Sequence, residues 1–438
     1  MRRINARYQV RRQKGLVLIM VTMAMLTFIA IAAFAIDVNH LVVNKTRLQN
    51  AVDSAALAGA SIANTLKTKN ETEDSVIEAY KTIMTSSGND EIALADEQSG
   101  LHSLSIQYAD SPTATFSSTF PLSSERIYVR VQVLGLEITS FFLQVFNLDK
   151  NVSASTVAGP AFIDETSNVL PIGMCEGDEA GPAGYTSGTV YEIKSGSQSD
   201  DGGLGSGNFH LLDVGNGKSD VSDALVGRNS TVFTIGDKIS TEPGNAVGPT
   251  GSIDSRFTGE TLDGVYYAPD LIIVEPETEI TLDNLADYNQ STDADKLTYQ
   301  TYKTETVSCL ADEECRTDGG SAWRRVLPVP ILDCDSSNTT AKGNGGKTEF
   351  TVTSIGCFFL IQRYAYEGTS TASSADETND NNGNSGKKES SSKGQQSIFG
   401  EFIDHCHVVE GGLSENDTDT GVTRIVLFKD ANSVGGGS

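Results

Sequence analysis

Uncharged and apolar positions are concentrated near the N-terminus of the chain. Residues 1–14 contain six basic side chains and no acidic one, and residues 15–36 then form a run of 22 residues without a charge. As an α-helix this run would be about 33 Å long, enough to cross a hydrocarbon core of about 30 Å. The pattern predicts a basic cytoplasmic segment at 1–14 and a transmembrane helix at 15–36, with the rest of the chain outside under the positive-inside rule.

The apolar run has two alternative interpretations. Ala33-Phe34-Ala35 has the small-x-small form of a signal-peptidase site, and cleavage after Ala35 would release the chain from the membrane. The hydrophobic region of a signal peptide usually spans about 7–15 residues, so the longer run here favours a retained anchor. The other alternative is a pilin-like cut after Gly15, but Met20 stands where prepilins carry Glu.

A helical pattern continues beyond the apolar run. Leu41, Leu48, Ala55 and Ile62 recur every seven residues, and no Pro interrupts residues 15–66, which predicts a helical stalk over residues 37–87. The small side chains of this stripe allow close helix approach. The stripe is expected to pack on the protein's own ectodomain, the alternative being homo-oligomeric contact with neighbouring subunits. The packing candidates are Leu48, Val52, Ala55, Ala56 and Gly59.

Further along the chain, apolar residues alternate with other residues, so the pattern repeats every two residues. Alternation over residues 127–133 indicates a half-buried strand within an α+β portion spanning 88–159. From residue 160 to 438 the chain is predicted to be β-rich, and Pro328 and Pro330 mark one of its strands as an edge or irregular one. A low-complexity insertion at 367–396 is expected to be flexible. The candidate strands are residues 231–235, 271–274, 325–332, 350–355, 357–364, 398–409 and 422–428.

The six cysteines all follow the apolar run, which agrees with an oxidising compartment and disulfide bonds. Six cysteines allow 15 pairings, so the sequence alone does not assign them. The pairs expected from proximity and neighbouring strands are Cys309–Cys315 and Cys334–Cys357, which leaves Cys175–Cys406. The predicted fold class is therefore α+β: a single N-terminal transmembrane helix continuing into a stalk helix, then a β-rich, disulfide-containing ectodomain.

The charge balance excludes one class of partner. The chain has a formal net charge of −26, and without the six N-terminal basic residues it has 26 basic against 58 acidic residues, a net −32. A surface of this sign repels nucleic acid and anionic lipid, so no nucleic-acid partner is expected. The exported part is long enough for two domains with separate cores.

Candidate chemistry is sparse. His405-Cys406-His407 is the one cluster of metal-ligand residue types, but on a strand the two His share a face opposite Cys406, and no further ligands stand at a zinc-site spacing. The Gly-rich residues 200–208 lack the order of a calcium loop or a P-loop. With five His in the chain, no nucleophile–base pair can be assembled. The expectation is a protein without catalytic residues, metal or cofactor.

A family resemblance rests on the first sixty residues. The apolar run after Gly15, the AIDV sequence at 35–38 and the KTRLQNAVDSAALAGA sequence at 45–60 resemble the N-terminal module of TadE/TadG-like tight-adherence pilus-assembly proteins. Looser similarity continues at residues 128–133, 141–148 and 152–158, which resemble the strand, short helix and strand of that family. The sequences GNF at 207–209, LLD at 211–213 and PGN at 243–245 are similar to its larger TadG-type members.

The resemblance implies a non-enzymatic, single-pass component of a tight-adherence (Flp type IVb) pilus apparatus in the bacterial inner membrane. Its ectodomain would be periplasmic, and its partners would be other pilus-assembly proteins or pilins. An Asp-x-Ser-x-Ser metal motif, found in relatives with a von Willebrand A domain, is absent from the sequence. A secreted or surface adhesin, released by cleavage after Ala35, is the alternative function, and an exported enzyme is a third class with little support.

Overall fold

The structure is a computed structural model with side chains, and it divides into two compact units. Unit 1 comprises Met1–Pro160 and Ile425–Ser438, and unit 2 comprises Ala161–Arg424. The described residues are 16–99, 104–124, 126–139, 141–142, 150–167, 169–195, 208–215, 217–228, 231–244, 247–311, 315, 319–335, 340–341, 347–365, 397–408, 412–414 and 421–430. The boundary between units 1 and 2 after Pro160 lies where the sequence changes from an α+β portion to a β-rich portion. No pattern in the sequence indicates that residues 425–438 belong to unit 1.

Unit 1 is built on one long helix and an antiparallel sheet. Its strands follow the order β1-β2-β3-β17, with β2 paired to both β1 and β3. Its elements are α1 (Leu16–Leu66), α2 (Lys69–Met84), α3 (Asp90–Ser99), β1 (Leu104–Ala109), β2 (Tyr128–Ile138), β3 (Lys150–Thr166) and β17 (Val422–Phe428), the last two of which each extend across the unit boundary.

Helix α1 contains both the apolar run and the first part of the predicted stalk. The large apolar side chains up to Ile36 are exposed, and the stripe that follows is buried. Lys67 adopts a left-handed backbone conformation (φ 55°) directly after the last helical residue, as is common where helices end. The chain then turns at Thr68 and α2 folds back on α1. The predicted stalk over 37–87 is therefore helical, but it is a helical hairpin and not one continuous rod.

The predicted packing stripe lies in the core of unit 1. Leu48, Val52, Ala55 and Ala56 have no exposed area and cluster with Val76 and Tyr80 of α2 and with Val129 and Val131 of β2. A Cβ built on Gly59 would lie 2.4 Å from Cγ2 of Val76, so only Gly permits this approach of α2. The stripe thus packs within unit 1 of the single chain, and contact of this helix with neighbouring subunits stays a prediction.

Unit 2 contains a sheet of the order β4-β11-β13-β14-β5, with β8 and β12 also paired to β13 and β6 paired to β8. Its strands besides β3 and β17 are β4 (Met174–Cys175), β5 (Val190–Lys194), β6 (Asn208–Leu212), β7 (Phe233–Thr234), β8 (Lys238–Pro243), β9 (Glu260–Leu262), β10 (Val265–Tyr267), β11 (Val326–Asp333), β12 (Thr340–Ala341), β13 (Thr348–Leu360), β14 (Ile398–Ile403), β15 (Cys406–His407) and β16 (Gly412–Leu413). Its helices are α4 (Lys218–Val226), α5 (Val247–Thr250), α6 (Ser255–Thr258), α7 (Leu285–Gln290) and α8 (Tyr299–Ala311), with 3₁₀ turns at Pro182–Gly184 and Gly251–Asp254.

Most of the predicted strands of unit 2 are present. The two candidates at 350–355 and 357–364 form one continuous strand, β13, because Gly356 lies in the sheet opposite Val329. The Pro-containing candidate is β11, which pairs along its length with β13. On its other side β4 adjoins it at Ile331 and Leu332, beyond both prolines, as expected for an irregular strand.

The predicted strand at 271–274 is wrong. These residues are in neither helix nor strand. The buried guanidinium of Arg325 donates hydrogen bonds of 2.9 Å to the carbonyl oxygens of Ile272 and Val274, and also to those of Leu360 and Ile361. An arginine side chain therefore takes the place of a neighbouring strand as the donor to this segment.

Three disulfide bonds join all six cysteines, but only one of the expected pairs is correct. Cys309–Cys315 is confirmed, whereas the other four cysteines pair as Cys175–Cys334 and Cys357–Cys406. The expected Cys334–Cys357 pair fails because of register: Cys357 lies opposite Pro328, six residues or about 20 Å along the strand from Cys334. Cys175 instead lies beside Leu332 on the parallel strand β4, next to Cys334.

Three predicted features lie wholly or mainly outside the described residues. They are the low-complexity insertion at 367–396, most of the Gly-rich segment at 200–208, and most of the hydrophobic stretch at 141–148.

Replacing Gly59 by Leu should destabilise unit 1. The new side chain would force Val76 away from α1, and overpacking of this kind costs about 1–3 kcal/mol. Amide hydrogen exchange of the full-length protein in detergent micelles should accelerate in α2 and β2. The control is Ser61→Leu, which adds the same side chain at an exposed position of the same helix. Equal effects of the two variants would contradict the close approach at Gly59.

Unit 2 should lose stability as the pH rises through 6. Burial raises the pKa of Asp254 from 3.8 to about 6, although its carboxylate accepts backbone hydrogen bonds from Tyr364 and Ala365. The folded state thus holds this proton more tightly than the unfolded chain. The stabilisation is complete below a pH of about 4 and is lost as the pH rises through 6, a difference of about 3 kcal/mol.

The pH effect can be followed through Trp323, the single tryptophan, which lies in unit 2. Denaturant unfolding of the full-length protein between pH 4.5 and 7.5 should show this decline. Asp254→Asn should flatten it, and Asp283→Asn, at an exposed position, should leave it unchanged. An equally steep decline in Asp254→Asn would assign the dependence to other groups.

Candidate functional site at the membrane-proximal junction

Exposure along one face of α1 changes at Asp37. The large apolar side chains between Val17 and Ile36 are all exposed, and the next residue, Asp37, is fully buried. Asn44, two turns further on the same face, is also fully buried. We call the group formed by Asp37, His40, Asn44, Glu91, Thr139, Phe141 and Phe142 the membrane-proximal junction.

Asp37 connects α1 to the chain that follows β2. Its Oδ1 accepts a hydrogen bond from the backbone N–H of Phe141 (3.0 Å), and its Oδ2 accepts one from that of Phe142 (2.8 Å). A buried carboxylate is costly unless its oxygens are hydrogen-bonded, and bonds to a charged acceptor are stronger than neutral ones. The sequence places a charge directly after the apolar run, and the fold uses that charge to position two aromatic residues.

Glu91 is the second carboxylate of the junction, and it links three elements. Its Oε2 lies 2.5 Å from Nε2 of His40 and accepts a hydrogen bond from Nδ2 of Asn44 (3.0 Å). Its Oε1 accepts one from the backbone N–H of Thr139 (3.1 Å). His40 also contacts Phe141 edge to face, with 4.9 Å between ring centroids. Helix α1, helix α3 and the chain after β2 thus meet at the point where α1 passes from the apolar run into the fold.

A matching polar contact lies at the far end of the same helix. Nδ2 of Asn64 donates to the carbonyl oxygen of Ile127 (2.8 Å), and the N–H of Ile127 donates to Oδ1 of Asn64 (2.9 Å). Strand β2 is therefore held to α1 at both ends. The 27 helical steps from Asp37 to Asn64 span about 40 Å, and the 11 residues of β2 span a comparable length of about 36 Å.

The C-terminal segment is held to unit 1 by a buried ion pair. Nη2 of Arg130 lies 2.9 Å from Oδ1 of Asp430, whose Oδ2 accepts a hydrogen bond from Ser155 (2.5 Å). The guanidinium of Arg130 also stacks over the ring of Phe116. Sequence analysis missed this contact because it joins residues 300 positions apart.

Titratable groups buried in helices α2 and α3 also have a structural role. Tyr80 donates a hydrogen bond to Oδ1 of Asp96 (3.1 Å), and burial raises the pKa of both side chains. In unit 2, Tyr302 donates to Oδ2 of Asp270, which also accepts the backbone N–H of Arg325. Burial raises the pKa of Asp270 and lowers that of Arg325 to about 10. These groups fasten segments together within each unit.

The cluster His405-Cys406-His407 has the structural partners expected of a strand. Cys406 is bonded to Cys357 in a disulfide and so supplies no thiolate. Nδ1 of His407 lies 2.6 Å from Oγ1 of Thr423, and the ring of His405 lies beside that of Phe162. Among the described residues there is no group of three or more His, Cys, Asp or Glu placed to hold a metal ion.

The fold and the junction define a class of protein: an α+β chain whose N-terminal helix is long and apolar enough to cross a membrane and is built into its first unit. Residues 15–61 match the family described as "Putative Flp pilus-assembly TadE/G-like". The match covers 47 of the 438 residues, confirms the resemblance over this N-terminal module and supports involvement in Flp pilus assembly. No curated protein and no solved structure matched the chain.

The family match covers the membrane run, Asp37, His40, Asn44 and the small-residue stripe, and it ends before Asn64. The looser similarities lie beyond it. In unit 2, Asn208 of the GNF sequence pairs with Pro243 of the PGN sequence between strands β6 and β8. Sequence analysis quoted the AIDV segment for the resemblance but did not identify the role of Asp37, because its partners are backbone N–H groups 104 and 105 residues away.

Replacing Asp37 by Asn should free the chain after β2. Asn keeps one acceptor oxygen but places an N–H₂ group against the second backbone donor, and each charge-assisted bond is worth about 1.5–3 kcal/mol. Hydrogen exchange at the amides of Phe141 and Phe142 in the full-length protein should accelerate about 10- to 100-fold.

The matched control for this prediction is Asp53→Asn on the same helix. The carboxylate of Asp53 accepts a hydrogen bond from Gln49 one turn before it. Exchange at 141 and 142 should remain slow in this variant. Unchanged exchange in Asp37→Asn would contradict the positioning role of the carboxylate.

Proposed function

We propose that the chain is a non-enzymatic, single-pass component of a Flp-type pilus assembly apparatus. Its N-terminus lies in the cytoplasm, residues 15–36 cross the inner membrane, and the remainder of unit 1 and all of unit 2 lie in the periplasm. There it acts on other pilus-assembly proteins or pilins. The observation that carries the proposal is the family match at 15–61, which includes both the apolar run and the first part of the helix that forms the core of unit 1.

Continuity of α1 supports a role that depends on the membrane anchor. The helix runs unbroken from Leu16 to Leu66, a length of about 76 Å, of which the first 30 Å or so is apolar and exposed. A helix has little freedom to bend without a Pro or another break in its hydrogen-bond ladder. Unit 1 is therefore fixed to the anchor, and force or movement at the membrane passes directly into its core.

The same continuity supports retention of the anchor over release. Ala33-Phe34-Ala35 lies within α1, and Asp37, the second residue after that site, is bonded to the chain beyond β2. Cleavage after Ala35 would remove the helical turn that precedes this contact. Retention is also supported by the length of the exposed apolar run, which suits a bilayer core.

A non-enzymatic role is supported by the chemistry of the described polar clusters. Carboxylates such as Asp37, Glu91 and Asp270 accept hydrogen bonds from backbone N–H groups, and Arg325 donates to backbone carbonyls. Such bonds hold segments of chain in place. The acidic ectodomain, with basic residues gathered before the membrane run, supports the proposed orientation.

The test is complementation of a strain in which the gene has been deleted, with three forms of the chain. The first is the wild type. The second replaces residues 15–36 by an unrelated transmembrane helix of equal length, and the third replaces residues 1–35 by a cleaved signal peptide that releases the ectodomain. We expect pili from the first two forms and none from the third, with intact mass showing that the wild-type chain in the membrane fraction retains residues 15–36.

Two outcomes would overturn the proposal. Normal piliation in the deletion strain would remove the assembly role, and full complementation by the released form would favour the secreted adhesin. Substitution of both His405 and His407 by Ala tests the third function class, an exported enzyme that depends on these side chains. Since neither side chain belongs to the proposed machinery, the double variant should support normal piliation.

A further inference from the structure

We propose that Phe141 and Phe142 form a second membrane contact of unit 1, in the interfacial layer of the bilayer beside the anchor, and that the carboxylate of Asp37 holds them there. The occupant of this surface is the phospholipid bilayer itself. The inference rests on the proposed function only in that residues 15–36 are retained in the membrane.

The depth of the two residues follows from the position of Asp37. Residues 15–36 are uncharged over about 33 Å of helix, so Asp37 lies at the edge of a hydrocarbon core of about 30 Å. The backbone nitrogens of Phe141 and Phe142 lie 3.0 and 2.8 Å from its carboxylate oxygens. The two backbones are therefore at the same depth, in the layer about 5–7 Å thick that separates the hydrocarbon core from water.

The exposure of the two rings agrees with this position. Phe141 and Phe142 are 53% and 44% exposed, although their backbones are hydrogen-bonded to a fully buried residue. Exposed aromatic side chains in water have an unfavourable free energy, whereas Phe side chains bury favourably at the boundary between headgroups and acyl chains. Contiguous exposed apolar surface of this kind marks a contact with a membrane or a protein partner.

Exposed apolar side chains on α1 continue beyond the membrane run to the level of the pair. On α1, Val38, Val42 and Val43 are also exposed and lie within about 9 Å of Asp37 along the helix axis. These valines follow directly from the exposed side chains of the membrane run. Exposed apolar side chains thus extend from the anchor to the depth of Asp37 and its two partners, which favours the bilayer over a separate protein ligand.

A membrane contact on both α1 and the chain after β2 would fix the orientation of unit 1. A single helix can tilt and rotate in a bilayer, because its tilt is set by neighbouring contacts and interfacial anchors. With Phe141 and Phe142 in the interface, tilting of α1 away from their side would lift both rings out of the lipid. Unit 1 would then keep a defined tilt relative to the membrane plane.

The experiment is depth-dependent quenching of tryptophan fluorescence in the full-length protein, reconstituted in nanodiscs of phosphatidylcholine and brominated phosphatidylcholine. The variant is Phe141→Trp, and the wild-type signal from Trp323 is the background. The control is Leu122→Trp. Leu122 is 72% exposed and is two residues from Ser124 in the sequence. The carbonyl oxygen of Ser124 accepts a hydrogen bond from Lys67, which directly follows α1 about 45 Å along the helix axis from Asp37. The control position is therefore far from the membrane end of α1.

We expect bromine placed close to the headgroup to quench the added fluorescence of Phe141→Trp at least twofold more than that of Leu122→Trp. Adding Asp37→Asn to Phe141→Trp should reduce the quenching, while adding Asp53→Asn should not. Persistent quenching in the presence of Asp37→Asn would overturn the positioning role of that carboxylate.

The outcomes separate this inference from the proposed function. Protein that copurifies with nanodiscs, carries residues 15–36 by intact mass and shows no extra quenching at 141 would overturn the membrane contact alone. That result would assign the aromatic surface to a protein partner, which is absent from discs that hold only this chain, lipid and scaffold protein. Failure of the intact chain to remain in the discs would overturn both the anchor and the contact that depends on it.

Discussion

The alignment of strand β2 along helix α1 is the constraint on which the rest of unit 1 depends. Asp37 holds the chain beyond one end of the strand and Asn64 holds the other, in both cases through bonds from side chain to backbone. Between them the helix presents small residues, and at Gly59 even a Cβ would displace Val76. The polar ends set the register of the strand on the helix, and the small stripe between them permits close packing.

This arrangement makes the long apolar helix and the core of unit 1 parts of one mechanical element. Most single-pass proteins can place a flexible segment between the membrane and the first folded domain, but here the same helix serves as anchor and core. The buried carboxylates of Asp37 and Glu91 are stable because backbone N–H groups and side chains of other segments donate to them. Such a junction suits a protein whose work requires a fixed position relative to the membrane plane.

In unit 2, a buried arginine and two disulfide bonds hold segments of chain that are distant in the sequence. Arg325 donates to four backbone carbonyls and stacks with aromatic rings, so an arginine takes the place of an additional strand. The Cys175–Cys334 disulfide joins β4 to the chain just after β11, and Cys357–Cys406 joins β13 to β15. Disulfides of this kind restrict the unfolded chain and so stabilise a unit that carries several buried ionisable groups.

The sequence by itself determined the elements whose signals are local. The uncharged run, the small-residue stripe and the alternation at 127–133 predicted the apolar helix, its buried continuation and strand β2, because each depends on the period of neighbouring residues. The tertiary structure decided what depends on long-range register. In the structure the stalk is a helical hairpin, and Cys334 pairs with Cys175 instead of Cys357. Residues 271–274 accept hydrogen bonds from Arg325 instead of forming a strand, and Asp37 accepts hydrogen bonds from the backbone of Phe141 and Phe142. Such contacts join residues about 20 to 300 positions apart, and no local pattern of polarity specifies which distant backbone groups a side chain will meet.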